Sequence, residues 1–557
     1  MNRSRILAIM LVITVILSSA CSSPQPAATP TTAPPAAGSP AATTAPPAAD
    51  QPVRGGTIVV SHGQNVSDTL NQHTSTHTTS RMVAHHVLDT LTAVNPNDGS
   101  IHPSLATSWE VSPDGKVYTF KLRTDVKFHD GTPFNAESVK FNFDYTMRDD
   151  IRHGFAWSAL GGTSFDRTEV VDSSTVKVYL KAPNAAFLVS LSDGGLGIDS
   201  PTAMQAGGED YGIKTLVGSG PFKFKEWVKG DHITLVRSDE YNWAPDIFQH
   251  SGPAYLDEII YRDIQDVATR IAALEAGELT LATSTEPMVA QLRGNPDIQI
   301  LLTPKAGTAR MYTMNLGKSP TDDIRVRQAI AHAIDKAALL GLPAWSGIGR
   351  VAVAPIPRNM VPNGDLSAVA QYDIAFDPAK AKSLLDEAGW KVGSDGIREK
   401  GGQKMVVDWA ITAASVPQVE PVEQMLRDVG IGMNIRTGDF NFWISECEKL
   451  NYNMTLMSDS GYNTLFLLDE FWQSESAGNW QAYSNPKFDE YLAKALAGTT
   501  QQEIWNNAML AMAETMKDVQ GVNAWEQDYV YGASTALRGV AYHEIGWPFF
   551  YDAWLSK

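Results

Sequence analysis

Pro103-Ser104-Leu105-Ala106-Thr107-Ser108-Trp109-Glu110-Val111-Ser112-Pro113-Asp114-Gly115, continued by Val117-Tyr118-Thr119-Phe120-Lys121-Leu122, reads as strand, turn and strand. In Ser112-Pro113-Asp114-Gly115 the proline presets the first turn dihedral, and the glycine takes the one that a Cβ would strain. Beyond the turn, Val117, Thr119 and Lys121 alternate with Tyr118, Phe120 and Leu122, the period of two expected of a strand with unlike faces. The stretch predicts an antiparallel hairpin.

Working outward, a second turn at Asp130-Gly131-Thr132-Pro133 precedes a helix from Ala136, with Val139, Phe143 and Met147 on one face. Strands are expected at Thr175 to Leu180, His232 to Arg237, Glu258 to Tyr261 and Arg310 to Leu316. Upstream, Ile58-Val59-Val60 is a short β-branched run suited to a buried strand, and Met82 to Leu91 has helical spacing. Downstream, Asp323 is placed to cap a helix whose apolar face runs through Val326, Ile330, Ala333, Ile334 and Leu339, with Arg325, Arg327 and Lys336 outside. Another helix starts at Asp377-Pro378 and stops at Ala388-Gly389. Strands alternating with helices, without an internal repeat, indicate an α/β architecture.

Catalytic signatures do not emerge. There is no Gly-x-Ser-x-Gly elbow, no His-Glu-x-x-His helix and no phosphate-binding Gly-x-x-x-x-Gly-Lys loop. The paired carboxylates of a glycosidase leave no fixed local pattern, so a secreted hydrolase stays open as an alternative. His73, His77, His85 and His86 are the one tempting metal cluster. They lack an acidic or Cys ligand at useful spacing, and the reading is structural hydrogen bonding, with no metal and no cofactor.

The quoted run, continued by Val126-Lys127-Phe128-His129-Asp130-Gly131-Thr132-Pro133-Phe134 and Val139-Lys140-Phe141, resembles the family 5 extracellular solute-binding proteins of ABC importers. The resemblance extends through Gly218-Ser219-Gly220-Pro221-Phe222 with Trp227, Val326-Arg327-Gln328-Ala329-Ile330, Asp377-Pro378 to Ala388-Gly389-Trp390, and Tyr483-Ser484-Asn485-Pro486. It implies a two-lobed, type II periplasmic-binding-protein-like fold. Residues 53–93 and 217–310 would form the first lobe, 94–216 an extra subdomain of it, 311–537 the second lobe, and 538–557 a return to the first.

The resemblance also implies a non-enzymatic receptor that takes a dipeptide or oligopeptide into the interlobe cleft, closes by hinge motion and delivers it to a membrane permease. Asp459, seven residues before Phe466, matches the aspartate that holds the peptide ammonium in such proteins. Around it the chain departs from the family pattern: the usual Asp-Pro pair is missing from Ser460-Gly461-Tyr462-Asn463-Thr464-Leu465, Leu-Asp-Pro has become Leu70-Asn71-Gln72, and an expected Tyr is Leu88. Trp443, Trp472, Trp480, Trp525, Trp547 and Trp554 offer a rival reading, in which stacking platforms would serve an oligosaccharide.

The N-terminal region addresses location. Arg3 and Arg5, the apolar run from Ile6 to Leu17 and the small residues Ser18, Ser19 and Ala20 form a signal peptide over residues 1–20. Cys21 then stands where lipoprotein signals carry the cysteine that is acylated, although the Leu usual three residues before it is here Ser18. Residues 21–52 are a Pro/Ala/Thr linker that cannot fold. The expectation is a monomer lipid-anchored on the extracytoplasmic face of the cell envelope. Cys447 alone remains to the folded part, so packing rather than a disulfide must stabilise it. A formal net charge of −18 argues against nucleic acid as a partner.

Overall fold

Two sheets organise the chain in the computed structural model. It describes residues 51–556 apart from 64–68, 76, 77, 97, 98, 152–154, 285, 343–347, 460, 462, 477 and 544. Cys21, with the signal and linker residues before Asp50, lies outside the described residues, as does His77.

The β-branched strand Thr57–Ser61 lies at the centre of a seven-stranded sheet, parallel to both Glu258–Arg262 and Leu281–Thr283. Ile58 and Val60 are fully buried there, as a strand covered on both faces requires. His232–Arg237 and Phe222–Val228 extend the sheet on one side. Asp528–Ser534 and Ile298–Pro304 extend it on the other, all antiparallel to their neighbours.

The hairpin that decides the fold forms at Ala106–Val111 and Val117–Leu122, with Trp109 opposite Phe120 and Val111 opposite Tyr118. Gly115 sits at φ +67°, where a Cβ would meet Pro183 at 2.9 Å. Thr175–Leu180 and Phe165–Asp172 complete a four-stranded antiparallel sheet. Its core, with Phe120, Phe128, Phe143 and Val178, runs from Leu91 to Ile198. Asn135 caps the helix Ala136–Thr146 through a reciprocal pair of bonds with Ser138. Within residues 199–216, placed with this subdomain from the sequence, Asp199 and Ser200 bond to Asn142 and Asp130 of the subdomain. Met204, Tyr211 and Leu216 pack into the same core as Ile58 and Val60.

The second lobe is built on a six-stranded sheet in the order Arg350–Val351, Gly521–Glu526, Arg310–Met314, Met454–Met457, Val406–Thr412 and Gly432–Gly438. The chain crosses between the two large sheets at Pro304 to Arg310 and returns at Glu526 to Asp528. The return comes earlier than position 537, the boundary expected from the sequence. Asp528–Ser534 pairs throughout with Ile298–Pro304, which commits it to the first sheet.

Two expected helices are altered. The helix expected over Met82 to Leu91 is Thr78–Ala84. Beyond it the chain turns, with bonds from His85 to Leu88 back to Arg81, Val83 and Ala84, the carbonyls of His86 and Val87 accept from Phe222 and Gly220, and Val87, Leu88 and Leu91 stay buried. The second-lobe helix capped by Asp323 ends at Ala333, and Asp335 caps a new one, Lys336–Leu340. Arg327 and Lys336, expected outside, are 6% and 8% exposed. Arg327 donates to the carbonyls of Thr321, Asp322, Asp518 and Val519, and Lys336 to Asp373 and the Ala352 carbonyl.

Candidate functional site

The strand registers fix which end of the second lobe faces the hinge. Met311, just past the first crossing, lies opposite Met457. Met454–Met457 is parallel to Val406–Thr412, which is in turn parallel to Gly432–Gly438. The C-terminal ends of all three strands therefore point to the crossings. The residues that follow them, Asp459, Ala413 and Phe440, form one wall at the interlobe boundary.

Asp459 is exposed, and its backbone is clamped to the crossing strand. Its N–H donates to Thr308 Oγ1 at 2.9 Å, and its carbonyl accepts from the Thr308 N–H at 3.0 Å. Asn463 then caps the helix Thr464–Trp472 by accepting from the N–H groups of Leu465 and Phe466, and Phe466 is 40% exposed. The wall is acidic. Burial, then the neighbouring charges of Asp469 and Asp459, hold the Glu470 carboxyl above its ordinary range, and burial and Asp489 do the same to Asp469.

The crossings carry the opposite charge. Glu526, 6% exposed at the end of its strand, receives Arg358 Nε at 3.0 Å and Arg350 Nε at 3.3 Å, and both arginines are partly exposed. Burial raises the Glu526 carboxyl despite these partners. Lys305 Nζ donates to Ser458 Oγ at 3.2 Å, and Ser458 donates to Gln527 Oε1 at 2.7 Å, so both crossings are tied to the residue before Asp459. Sequence reasoning missed Phe440, Arg350, Arg358 and Lys305, because only the strand order brings them to one end of the sheet. Phe440, 63% exposed, leans on Trp443, which meets Trp480 edge-on at 5.5 Å.

The remaining candidates are placed as follows. Trp472, Trp525 and Trp547 are buried in cores, Trp554 is buried outside them, and Trp443 and Trp480 are half-buried. His73 is buried, with Nδ1 2.7 Å from Thr146 Oγ1 and Nε2 3.1 Å from Asn142 Oδ1. His86 bonds the Met82 carbonyl and accepts from the Phe550 N–H. Among the described residues no three His, Cys, Asp or Glu gather as metal ligands. Cys447 is buried, and burial pushes its thiol up to about 12. Leu70 is buried, and the Asn71 side chain accepts from the His73 N–H, so the altered Leu-Asn-Gln makes a local turn. The subdomain touches the second lobe where the Ala185 N–H donates to the Leu496 carbonyl at 3.2 Å.

Comparison with known proteins identifies the family. The family model of bacterial extracellular solute-binding proteins, family 5 (middle), matches residues 100–479. The chain is 32% identical over 414 residues to the glutathione-binding protein GsiB of Pectobacterium atrosepticum, covering 72% of this chain and 75% of that one. It is 29% identical over 455 residues to GsiB of Escherichia coli K12, covering 79% and 83%. Among solved structures, NikA from Brucella suis in complex with Fe(III)-EDTA superposes with a TM-score of 0.79 at 26% identity, covering 90% of this chain and 100% of that one. The periplasmic binding protein DppA from Helicobacter pylori, in complex with the peptide STSA, gives 0.70 at 26% identity, covering 91% and 99%. The family match spans the quoted hairpin and the wall that carries Asp459, and on it the chain belongs to the family 5 bacterial extracellular solute-binding proteins.

Proposed function

We propose that this chain is the extracytoplasmic receptor of an ABC importer, that it closes its two lobes on a dipeptide or short oligopeptide, and that Asp459 holds the ligand's ammonium group. The observation that carries the reading is the position of Asp459: an exposed carboxylate whose own backbone is bonded to the crossing strand at Thr308. A cation bound there bears directly on the hinge, and a carboxylate and an ammonium desolvated together make a strong charge-assisted hydrogen bond. Arg350 and Arg358 share the single carboxylate of Glu526, which leaves positive charge at the crossings for a peptide's carboxylate. The glutathione-binding relatives and the peptide-bound DppA support a zwitterionic, peptide-like ligand.

Calorimetry with glutathione, a tripeptide pool and their N-acetylated forms tests the assignment. Asp459→Asn is expected to weaken the free peptides by about tenfold to a hundredfold, the scale of a charged hydrogen bond, and to leave the acetylated ones nearly unchanged. Equal loss for both would remove Asp459 from the site. Binding of an oligosaccharide pool in place of peptides would overturn the peptide reading.

Attachment to the membrane belongs to the same proposal. Among the described residues no helix is long and apolar enough to cross a membrane, and Cys21 with the linker that follows it would tether the folded part near its permease. Cys21→Ser is expected to abolish incorporation of labelled palmitate and to release the protein from washed membranes. Retention of both would refute the anchor.

A further inference from the structure

Away from the wall that carries Asp459, a cavity of about 850 Å³ opens between the C-terminal segment, the loop after Trp243 and residues 85–96 of the first lobe, with Asn359 reaching it from the second. Its size is within the range of small-molecule sites, roughly 300–1,000 Å³. The lining is chemically one-sided. Asp89 and Asp552 contribute carboxylates, and no Lys or Arg lines it among the described residues. The rings of Tyr241, Phe248, Tyr542, Phe549 and Trp554 supply aromatic surface.

Neither histidine in the lining offsets the negative charge. Burial holds His85 well below its ordinary range and brings His543 down to about 3, so both rings are neutral at pH 7. His85 Nδ1 is buried without a hydrogen-bond partner. Asp552 pairs with His250, whereas Asp89 is held by neutral donors and burial raises its carboxyl. Asp89 Oδ2 accepts from Ser219 at 2.9 Å and Trp243 Nε1 at 2.8 Å, but its Oδ1 has only Tyr241 at 3.3 Å. Asp552 accepts from the Gln249 N–H and meets His250 Nδ1 at 2.7 Å.

From this combination we infer that the cavity is a second binding site, apart from the wall that carries Asp459, and that its ligand is an organic ammonium ion whose charge meets Asp89 Oδ1 and whose apolar body lies against the aromatic walls. A buried carboxylate fixed by neutral donors, as Asp89 is, is destabilised when charged, and a cation beside it relieves that cost. Aromatic faces attract the same cation and cover its hydrocarbon. Asp459, Arg350 and Arg358 do not line the cavity, although Pro304 and Asn359 bring it to the first crossing, so competition between amine and peptide separates the two sites.

The test uses the full folded chain and three probes of similar shape: phenethylamine, 2-phenylethanol and 3-phenylpropionate, followed by calorimetry and tryptophan fluorescence. The amine is expected to bind at least about tenfold tighter than the alcohol, with the carboxylate weakest. Trp554→Phe should remove the fluorescence change, and Asp89→Asn should erase the preference for the amine. Asp552→Asn and the wild-type selectivity keep the test decisive if Asp89→Asn does not fold. Saturating peptide and Asp459→Asn should leave amine binding unaltered, whatever they show about the peptide itself. Equal binding of amine and alcohol, preference for the carboxylate, no amine binding, or competitive displacement of the amine by peptide would each overturn the assignment.

Discussion

Arg327 shows how much one side chain can organise. The Asp518 carbonyl that it reaches belongs to the C-cap of the helix Gln501–Lys517, where unpaired carbonyls concentrate negative charge, so the guanidinium caps that helix from outside. It also takes the carbonyls of Thr321 and Asp322 before its own helix. Burial lowers its pKa, yet four carbonyls compensate the charge with hydrogen bonds. Arg327→Met keeps the length and removes every donor, leaving those carbonyls buried and unmatched. The expected loss is about 2–4 kcal/mol, read as a lower thermal or urea midpoint with ligand affinity nearly unchanged when measured well below the transition. A midpoint within about half a degree of the parent would show that water satisfies the carbonyls.

At the scale of elements, what the sequence made legible and what it hid have one cause: local rules act over a few residues, and tertiary partners act over hundreds. The hairpin was readable because Pro113 and Gly115 set its turn whatever lies elsewhere. Asp323 and Asp377 cap helices through bonds to nearby N–H groups. Gly389, at φ +88°, ends a helix where only glycine is unstrained. The helix expected through Leu339 was misread because both of its pieces bury apolar residues in the same core, so the spacing continues across the break at Ile334. Met82 to Leu91 kept helical spacing for the opposite reason: its later half leaves the helix through a turn but is equally buried. Asp459 was singled out through a family motif, whereas its clamp to Thr308 and its place at the same end of the sheet as Phe440 follow only from strand order. The cavity was invisible in the sequence, because residues 89, 241, 359 and 552 share no local pattern.

For the whole molecule, buried histidines set a pH limit. Four of them, His62, His85, His86 and His543, act on one another around the first lobe, and His129 lies apart. Burial depresses all five, to about 3 for His62, His86 and His543, to about 4 for His129, and well below the ordinary value for His85. Charges around them add to the effect: Arg270 acts on His62, Arg81 on His543 and Lys223 on His129, opposed in part by Asp193 near His85 and Asp130 near His129. A histidine depressed in the folded state contributes stability that is present above its unfolded pKa, roughly 6.5, and is lost as the pH falls toward the folded value. Between pH 6.5 and 5 each such group withdraws up to about 2 kcal/mol, while Asp89, Asp373 and Glu526, raised by burial, work in the other direction. Asp263, Asp469 and Glu470, likewise raised by burial, join them, yet in the unfolded chain the carboxyls titrate below this window and the histidines within it, so the thermal midpoint is expected to fall by several degrees from pH 7 to pH 5. His129→Gln, which keeps a donor toward the Gly220 carbonyl, should reduce that slope without affecting the cluster around His86. A midpoint that stays level or rises between pH 7 and pH 5 would mean that water or a bound anion lets these histidines take up protons in the folded protein.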